Sequence, residues 1–230
     1  MSEIKIEGKG VLAAGEYEKI RVDGVCTCTG DIFCTGAEVD GSMKCKADLF
    51  VYGRLDCDGM MRTAGNAKAK ETDIDGMANV SGSFETERLT ADGSVKIGGE
   101  LRADTACING MLKCGGDLNA REIHSEGLIS VNGAISADLI DSDGMVCADS
   151  IVGDTVNIRS AAGRFVKWIM AKKSTVRLIE ATNVTISKLD AETVNGENVT
   201  IGPKCRVKTV DCSGNLTIDP TAVVETIVKN

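Results

Sequence analysis

Aromatic side chains make up only 3% of this 230-residue chain, and histidine occurs once, at His124. So few rings argue against the thick core of an ordinary globular protein of this length. No apolar run approaches the length of a membrane span, and the opening MSEIKIEGKG lacks the apolar centre of a signal peptide. A cytoplasmic chain is therefore expected. The formal net charge of -8 argues against general nucleic-acid binding, because phosphate contacts need a basic surface.

What the chain does have is a glycine-marked repeat with a period of about 17 residues, the kind of internal self-similarity that marks stacked architectures. The rows read GVCTCTGDIFCTGAEVD from Gly24, GMANVSGSFETERLTAD from Gly76, GSVKIGGELRADTACIN from Gly93, GMLKCGGDLNAREIHSE from Gly110 and GLISVNGAISADLIDSD from Gly127. Residues two apart on a strand share a face. Third positions of successive rows are Cys26, Met43, Met61, Ala78, Val95, Leu112, Ile129 and Val146, and ninth positions are Ile32, Leu49, Ala67, Phe84, Leu101, Leu118, Ile135 and Val152. All are apolar and are expected to point inward. One row is lengthened by a residue before Gly59.

A single coil cannot bury its own inward stripe, so each must stack on the next in parallel register. The expected fold is all-β, a parallel β-helix or β-solenoid of about 17 residues per coil, with three short faces and glycines at the corners. Corner glycines answer either a positive φ or a close backbone approach. Parallel crossovers favour a right-handed path, whereas a repeat near three hexapeptides is also compatible with a left-handed one.

Ten cysteines suggest a metal or disulfide framework until they are placed in the repeat. Cys26, Cys28, Cys34, Cys45, Cys57 and Cys114 fall at inward positions, where a thiol serves as a small hydrophobe, and the paired short loops of a zinc site are absent. Cys107 and Cys147 fall outward. An acidic column also follows from the register: Asp23, Asp40, Asp58, Asp75, Asp92, Asn109, Glu126 and Asp143 each precede a first-position glycine. Such Asp-Gly and Asn-Gly pairs are ordinary turn formers, and the calcium-binding nonapeptide repeat is missing. Neither metal nor cofactor is expected.

The rhythm breaks after the eighth row. Residues 155–179 carry Arg159, Arg164, Lys167, Lys172, Lys173 and Arg177 with no Asp or Glu, and Phe165 and the only Trp, Trp168, lie among them. The rest of the chain then holds 20 basic against 34 acidic residues, a formal balance of -14. The expected organisation is an N-terminal solenoid over 1–154, a basic insertion or cap over 155–181, and C-terminal coils over 182–230. The basic segment can cover one side of the solenoid and pair with its acidic faces. Alternatively, residues 159–177 contact an anionic membrane or a protein partner through Arg164, Phe165, Lys167, Trp168, Lys172 and Lys173. VTISKLDAETVNG from Val184 reads as a shortened coil. ENVTIGPKCRVKTVDCS and GNLTIDPTAVVETIVKN then align at the full period, Val199 with Leu216 and Val207 with Val224.

A β-solenoid offers an unpaired strand edge at each end unless a cap covers it. An incomplete first coil around Ile4, Ile6, Val11 and Leu12 and a last coil through Val223, Val224 and Ile227 make both ends candidates for self-association. Ile20, Val22, Val223, Val224 and Ile227 are the residues expected to carry it.

GEYEKIRVDG from Gly15, the repeated Gly-x-apolar-x-apolar-x-Gly-x-apolar rows, and the terminal IGPKCRV and IDPTAVV coils resemble the bactofilin family of bacterial polymer-forming cytoskeletal proteins. The likeness covers most of residues 15–160 and 184–230. It implies a right-handed triangular β-helix that assembles end to end into nucleotide-independent filaments and serves as a scaffold, commonly near the membrane. This chain is about twice the usual core length and inserts the basic segment, and the resemblance supplies no catalytic residues.

Two other function classes compete with a homopolymer. Hexapeptide-repeat acyltransferases and some carbonic anhydrases share this kind of fold, but their sites generally need histidines at subunit seams, and His124 alone falls outward. Polysaccharide-cleaving β-helices need an acidic cleft and long loops, whereas the turns here are short. The remaining alternative is a non-polymeric platform that docks a protein on one flat strand face or on the segment from Phe165 to Trp168.

Overall fold

The computed structural model describes residues 3–159 and 173–229. Every described element is a strand, and every described pairing is parallel, joining residues about one repeat apart. The stacked β-solenoid expected from the repeat is therefore what forms. The chain divides into two compact units, residues 1–116 and 117–230.

In the first unit each coil pairs a four-residue strand with a longer one, as in Val25–Cys28 followed by Ile32–Val39, and Ser94–Ile97 followed by Leu101–Ile108. The short strand forms one face; the long one bends across the other two. Apolar residues stack in columns: Ala78 pairs with Val95 and Val95 with Leu112, and all three are buried. The same holds along Ile32, Leu49, Ala67, Phe84 and Leu101. Each side chain rests on its counterparts above and below, so removing a buried Leu there costs on the order of 2–5 kcal/mol. The lengthened row places its additional residue inside the strand Leu49–Cys57, where the register slips between Val51 and Arg54.

The corners are solved by close approach. Among the described residues, none of the corner glycines at the head of a row has positive φ. Instead, a Cβ at Gly41, Gly59, Gly76 or Gly93 would sit about 2.0 Å from the carbonyl oxygen of the glycine one coil before it. A second corner is tied by side chains. The Asp31 carboxylate accepts the Asp48 N–H at 3.0 Å, the Asp48 carboxylate accepts the Asn66 N–H at 2.7 Å, and the Asn66 side-chain oxygen accepts the Ser83 N–H at 2.9 Å. Corner amides that no ladder reaches are satisfied this way.

The second unit has less regular coils. Ile129 pairs with Val146 at the full period, but Ile135 pairs with Ile151 and not with Val152. This coil is a residue short, which corrects the expectation for Val152: it is 43% exposed, and Ile151 takes the core position. With one corner residue gone, Met145–Arg159 runs as a single strand. It pairs with Ser174–Ser187, so strand structure extends to Arg159 and resumes at Ser174 within the stretch read as an insertion. The next coil is shortened, since Val184 pairs with Val199 and not with Ile201. The full period then returns, with Val199 against Leu216 and Val207 against Val224.

Candidate assembly surfaces

The strands that end each unit's stack position the residues expected to self-associate. At the N-terminal end, Ile20 and Val22 are fully buried, because Ile4–Ile6 stacks on one side of them and Ala37 and Val39 on the other. They lie one coil inside the rim. The rim itself is partly self-covered. Gly10 pairs with Cys26 and offers no side chain over it, and Ile6 leans into that space, its Cγ2 lying 3.0 Å from where a Gly10 Cβ would be. Tyr17 pairs with Cys34 and donates its O–H to the Ala13 carbonyl at 2.9 Å.

At the C-terminal end the last described coil has no described strand over it. Val207 and Val210 are buried, yet Val224 and Ile227, which stack on them in register, are half-buried and 51% exposed. Leu216 and Ile218 are likewise half-buried over fully covered Val199 and Ile201. Among the described residues no strand stacks beyond Leu216–Ile218 and Val223–Lys229. Val223 and Val228 add exposed apolar surface to the same strand. A row of unpaired backbone N–H and C=O groups beside bare apolar side chains is a template for a further strand.

Arg164, Phe165, Lys167, Trp168 and Lys172 lie outside the described residues. Of the cations around that stretch, Lys173 contacts Asp190 at 2.8 Å, Arg159 contacts Asp141 at 2.5 Å and Asp143 at 3.3 Å, and Arg177 grips both oxygens of Asp149 at 2.9 Å. The Arg177 hydrogen bond holds the Asp149 carboxyl below its ordinary range. These cations are paired with acidic groups of their own unit.

Two shallow grooves run along strand faces. One of about 430 Å³ lies in the first unit beside Phe50, Lys68, Glu85 and Arg102; another of about 530 Å³ lies in the second beside Asp149, Arg177, Glu192 and Lys208. Ion pairs occupy both: Lys68 with Glu85 at 2.6 Å, and Lys208 with Glu192 at 2.8 Å. His124 sits on a strand facing outward, 3.7 Å from Glu122. Among the described residues no three His, Cys, Asp or Glu groups are placed to hold a metal ion.

All ten cysteines are free thiols. The six assigned inward are buried, as are Cys205 and Cys212, and Cys107 and Cys147 are half-buried. Burial pushes Cys34 and Cys57 up to about 11.

No family model and no solved structure matches the chain. It is 46% identical over 55 residues to YhbE, an uncharacterized protein of Bacillus subtilis (strain 168), an alignment spanning 24% of this chain and 23% of that one. No described helix is long and apolar enough to cross a membrane.

Proposed function

We propose that this protein is a non-enzymatic, bactofilin-like cytoskeletal scaffold that self-assembles end to end through the rims of its β-solenoid, in the cytoplasm. One observation carries the reading. The core column runs from buried Val207 and Val210 to Val224 and Ile227, a layer that no described strand covers. A second copy adding a coil there would extend the parallel ladder and cover the apolar rim, gaining about 25 cal/mol for each Å² of apolar surface removed from water. The free thiols support a reducing compartment.

Val224→Glu together with Ile227→Glu tests this. Both side chains form the outermost layer of the core column, so Ile227→Glu alone, at the more exposed of the two positions, is run beside the pair, and circular dichroism must show each variant folded. Negative-stain microscopy and sedimentation at rising protein concentration should show filaments for the parent and none for either variant. Unchanged filaments would reject the C-terminal rim as an interface. A parent that stays monomeric at every concentration would reject the polymer reading and leave a binding platform.

A further inference from the structure

One face of the first unit is built differently from the other two. It is formed by seven short strands: Lys9–Leu12, Val25–Cys28, Ser42–Cys45, Met60–Thr63, Met77–Val80, Ser94–Ile97 and Met111–Cys114. In a chain with 34 acidic residues, these strands contain no Asp or Glu. Their outward positions sort into two columns. Thr27, Lys44, Arg62, Asn79, Lys96 and Lys113 stack in one, and Val25, Ser42, Met60, Met77, Ser94 and Met111 in the other. Lys44, Arg62, Lys96 and Lys113 are exposed and enter no ion pair among the described residues. Val25 and Met77 are 45% and 50% exposed, which leaves an apolar strip uncovered.

A third column borders this face on its other side. Asp40, Asp58, Asp75 and Asp92 occupy the corner just before each row's glycine, and all four are exposed. Asp40, Asp58 and Asp75 have no ion pair among the described residues. Across the face the order is thus carboxylates, then the column of Val25, Ser42, Met60, Met77, Ser94 and Met111, then the column that holds Lys44, Arg62, Lys96 and Lys113, with successive positions in each one coil apart, roughly 4.8 Å.

From this arrangement we propose that the face is a lateral docking surface for a second copy of the same chain, the two lying side by side with the same polarity. A two-fold axis parallel to the columns swaps left and right while keeping height, so Asp40 of one copy meets Lys44 of the other, Asp58 meets Arg62, and Asp92 meets Lys96. The middle column meets itself, Met60 on Met60, Met77 on Met77 and Met111 on Met111. A two-fold axis across the columns would instead set carboxylates on carboxylates and cations on cations, so like-charge repulsion selects against antiparallel pairing. The shared coil period brings the three charged rungs into register together, while Asp75 meets the neutral Asn79. Methionine suits such a seam because its flexible thioether adapts to an imperfect partner.

Seven coils at roughly 4.8 Å and four residues at roughly 3.3 Å give a patch on the order of 400 Å² per copy. That sits at the low end for protein interfaces. Pairing of single molecules is accordingly weak and salt-sensitive, and it strengthens when copies are already joined in a row. Only that strengthening rests on end-to-end assembly; the lateral pairing does not.

The test uses the full chain carrying Val224→Glu and Ile227→Glu, which removes the C-terminal rim from consideration. At low salt this protein should sediment as a concentration-dependent dimer whose dissociation constant rises at least tenfold in 0.5 M NaCl. Lys44→Glu with Arg62→Glu, and separately Asp40→Lys with Asp58→Lys, should each give monomers with unchanged unfolding midpoints. An equimolar mixture of the two should restore the dimer. Met77→Cys should form a disulfide-linked homodimer on mild oxidation. The proposal is overturned if the charge-reversed proteins dimerise as the parent does, if mixing restores nothing, or if Met60→Cys cross-links to Met111→Cys, since pairing at equal height keeps those positions three coils apart. It is equally overturned if the parent stays monomeric and instead floats with phosphatidylglycerol vesicles. Filaments that persist in this rim variant would count against end-to-end assembly alone and leave the lateral pairing to be judged by the dimers.

Discussion

Gly110 stands so close to Gly93 that a Cβ on Gly110 would fall 1.9 Å from the Gly93 carbonyl oxygen, and that oxygen also accepts the N–H of Met111 at 2.9 Å. The carbonyl cannot swing away without breaking the ladder. Gly93 is in the same position relative to Gly76, at 2.0 Å. Gly93→Ala should therefore destabilise the first unit by about 3 kcal/mol or more, the range reached when backbone must move in a packed core. Gly36 is the control, since the nearest atom to its Cβ position is the Arg54 carbonyl oxygen at 3.7 Å. Gly36→Ala should change stability by less than about 0.5 kcal/mol. Urea unfolding of the two variants would settle it, and equal losses would remove close approach as the reason for the corner glycines.

Asn109 breaks the column of corner carboxylates, and its amide donates to the Asp92 carboxylate at 2.7 Å. Asn109→Asp replaces that hydrogen bond with a like-charge contact. The expected cost at neutral pH is on the order of 0.5–1 kcal/mol. It should shrink in 0.5 M salt, which screens exposed charges, and again when the carboxylates are protonated. A loss that persists under both conditions would mean that the amide acts through shape and not through charge.

The repeat is legible in the sequence because its two signals agree: residues two apart share a face, and glycines recur at the corners. Wherever a coil keeps its length, the inward positions follow, as with Val95, Leu112 and Ile129. The pattern misleads where length changes without a marker. Nothing local announces the residue missing before Ser150, so the repeat assigns Val152 the place that Ile151 holds. Sequence alone sets Ile20 and Val22 at the rim because Ile4–Ile6 is so short a segment, yet its three residues suffice to cover both. The corner ladder of Asp31, Asp48, Asn66 and Ser83 also has a signal, a polar residue at the eighth position of successive rows. The more uniform column ahead of the glycines obscures it, although that column's members bind fewer backbone groups. Charge segregation onto one strand face becomes visible only after pairing has fixed which side chains point outward.

Thiol accessibility offers an independent check of the coil register. Cys34 and Cys57 are held up to about 11 chiefly by burial, and the thiolate is the nucleophile. Iodoacetamide at pH 8 on the native protein should modify Cys107 and Cys147, the two half-buried thiols, and leave the other eight intact over hours. All ten should react in denaturant. Peptide mapping that finds native-state label on Cys34 or Cys57 at the rate of Cys107 would contradict the inward assignment.

Asp73 and Glu38 lie in one column of the first unit but titrate in opposite senses. Burial raises the Asp73 carboxyl above the ordinary aspartate value of 3.8, helped by Asp75, Asp56 and Asp92 and opposed by Arg54, 3.1 Å away. The Lys19 ammonium, hydrogen-bonded to Glu38, holds that carboxyl below the ordinary 4.5. A raised folded-state pKa means that the native form binds its proton more tightly than the unfolded chain, so ionised Asp73 detracts from stability at neutral pH and the deficit disappears as pH falls through the folded value. For Glu38 the contribution is present above the unfolded value and lost as pH falls through the folded one. Asp73→Asn should raise the unfolding midpoint at pH 7 and Glu38→Gln should lower it, and both differences should close on acidification. A midpoint lowered by Asp73→Asn at pH 7 would show that Arg54, and not burial, governs Asp73.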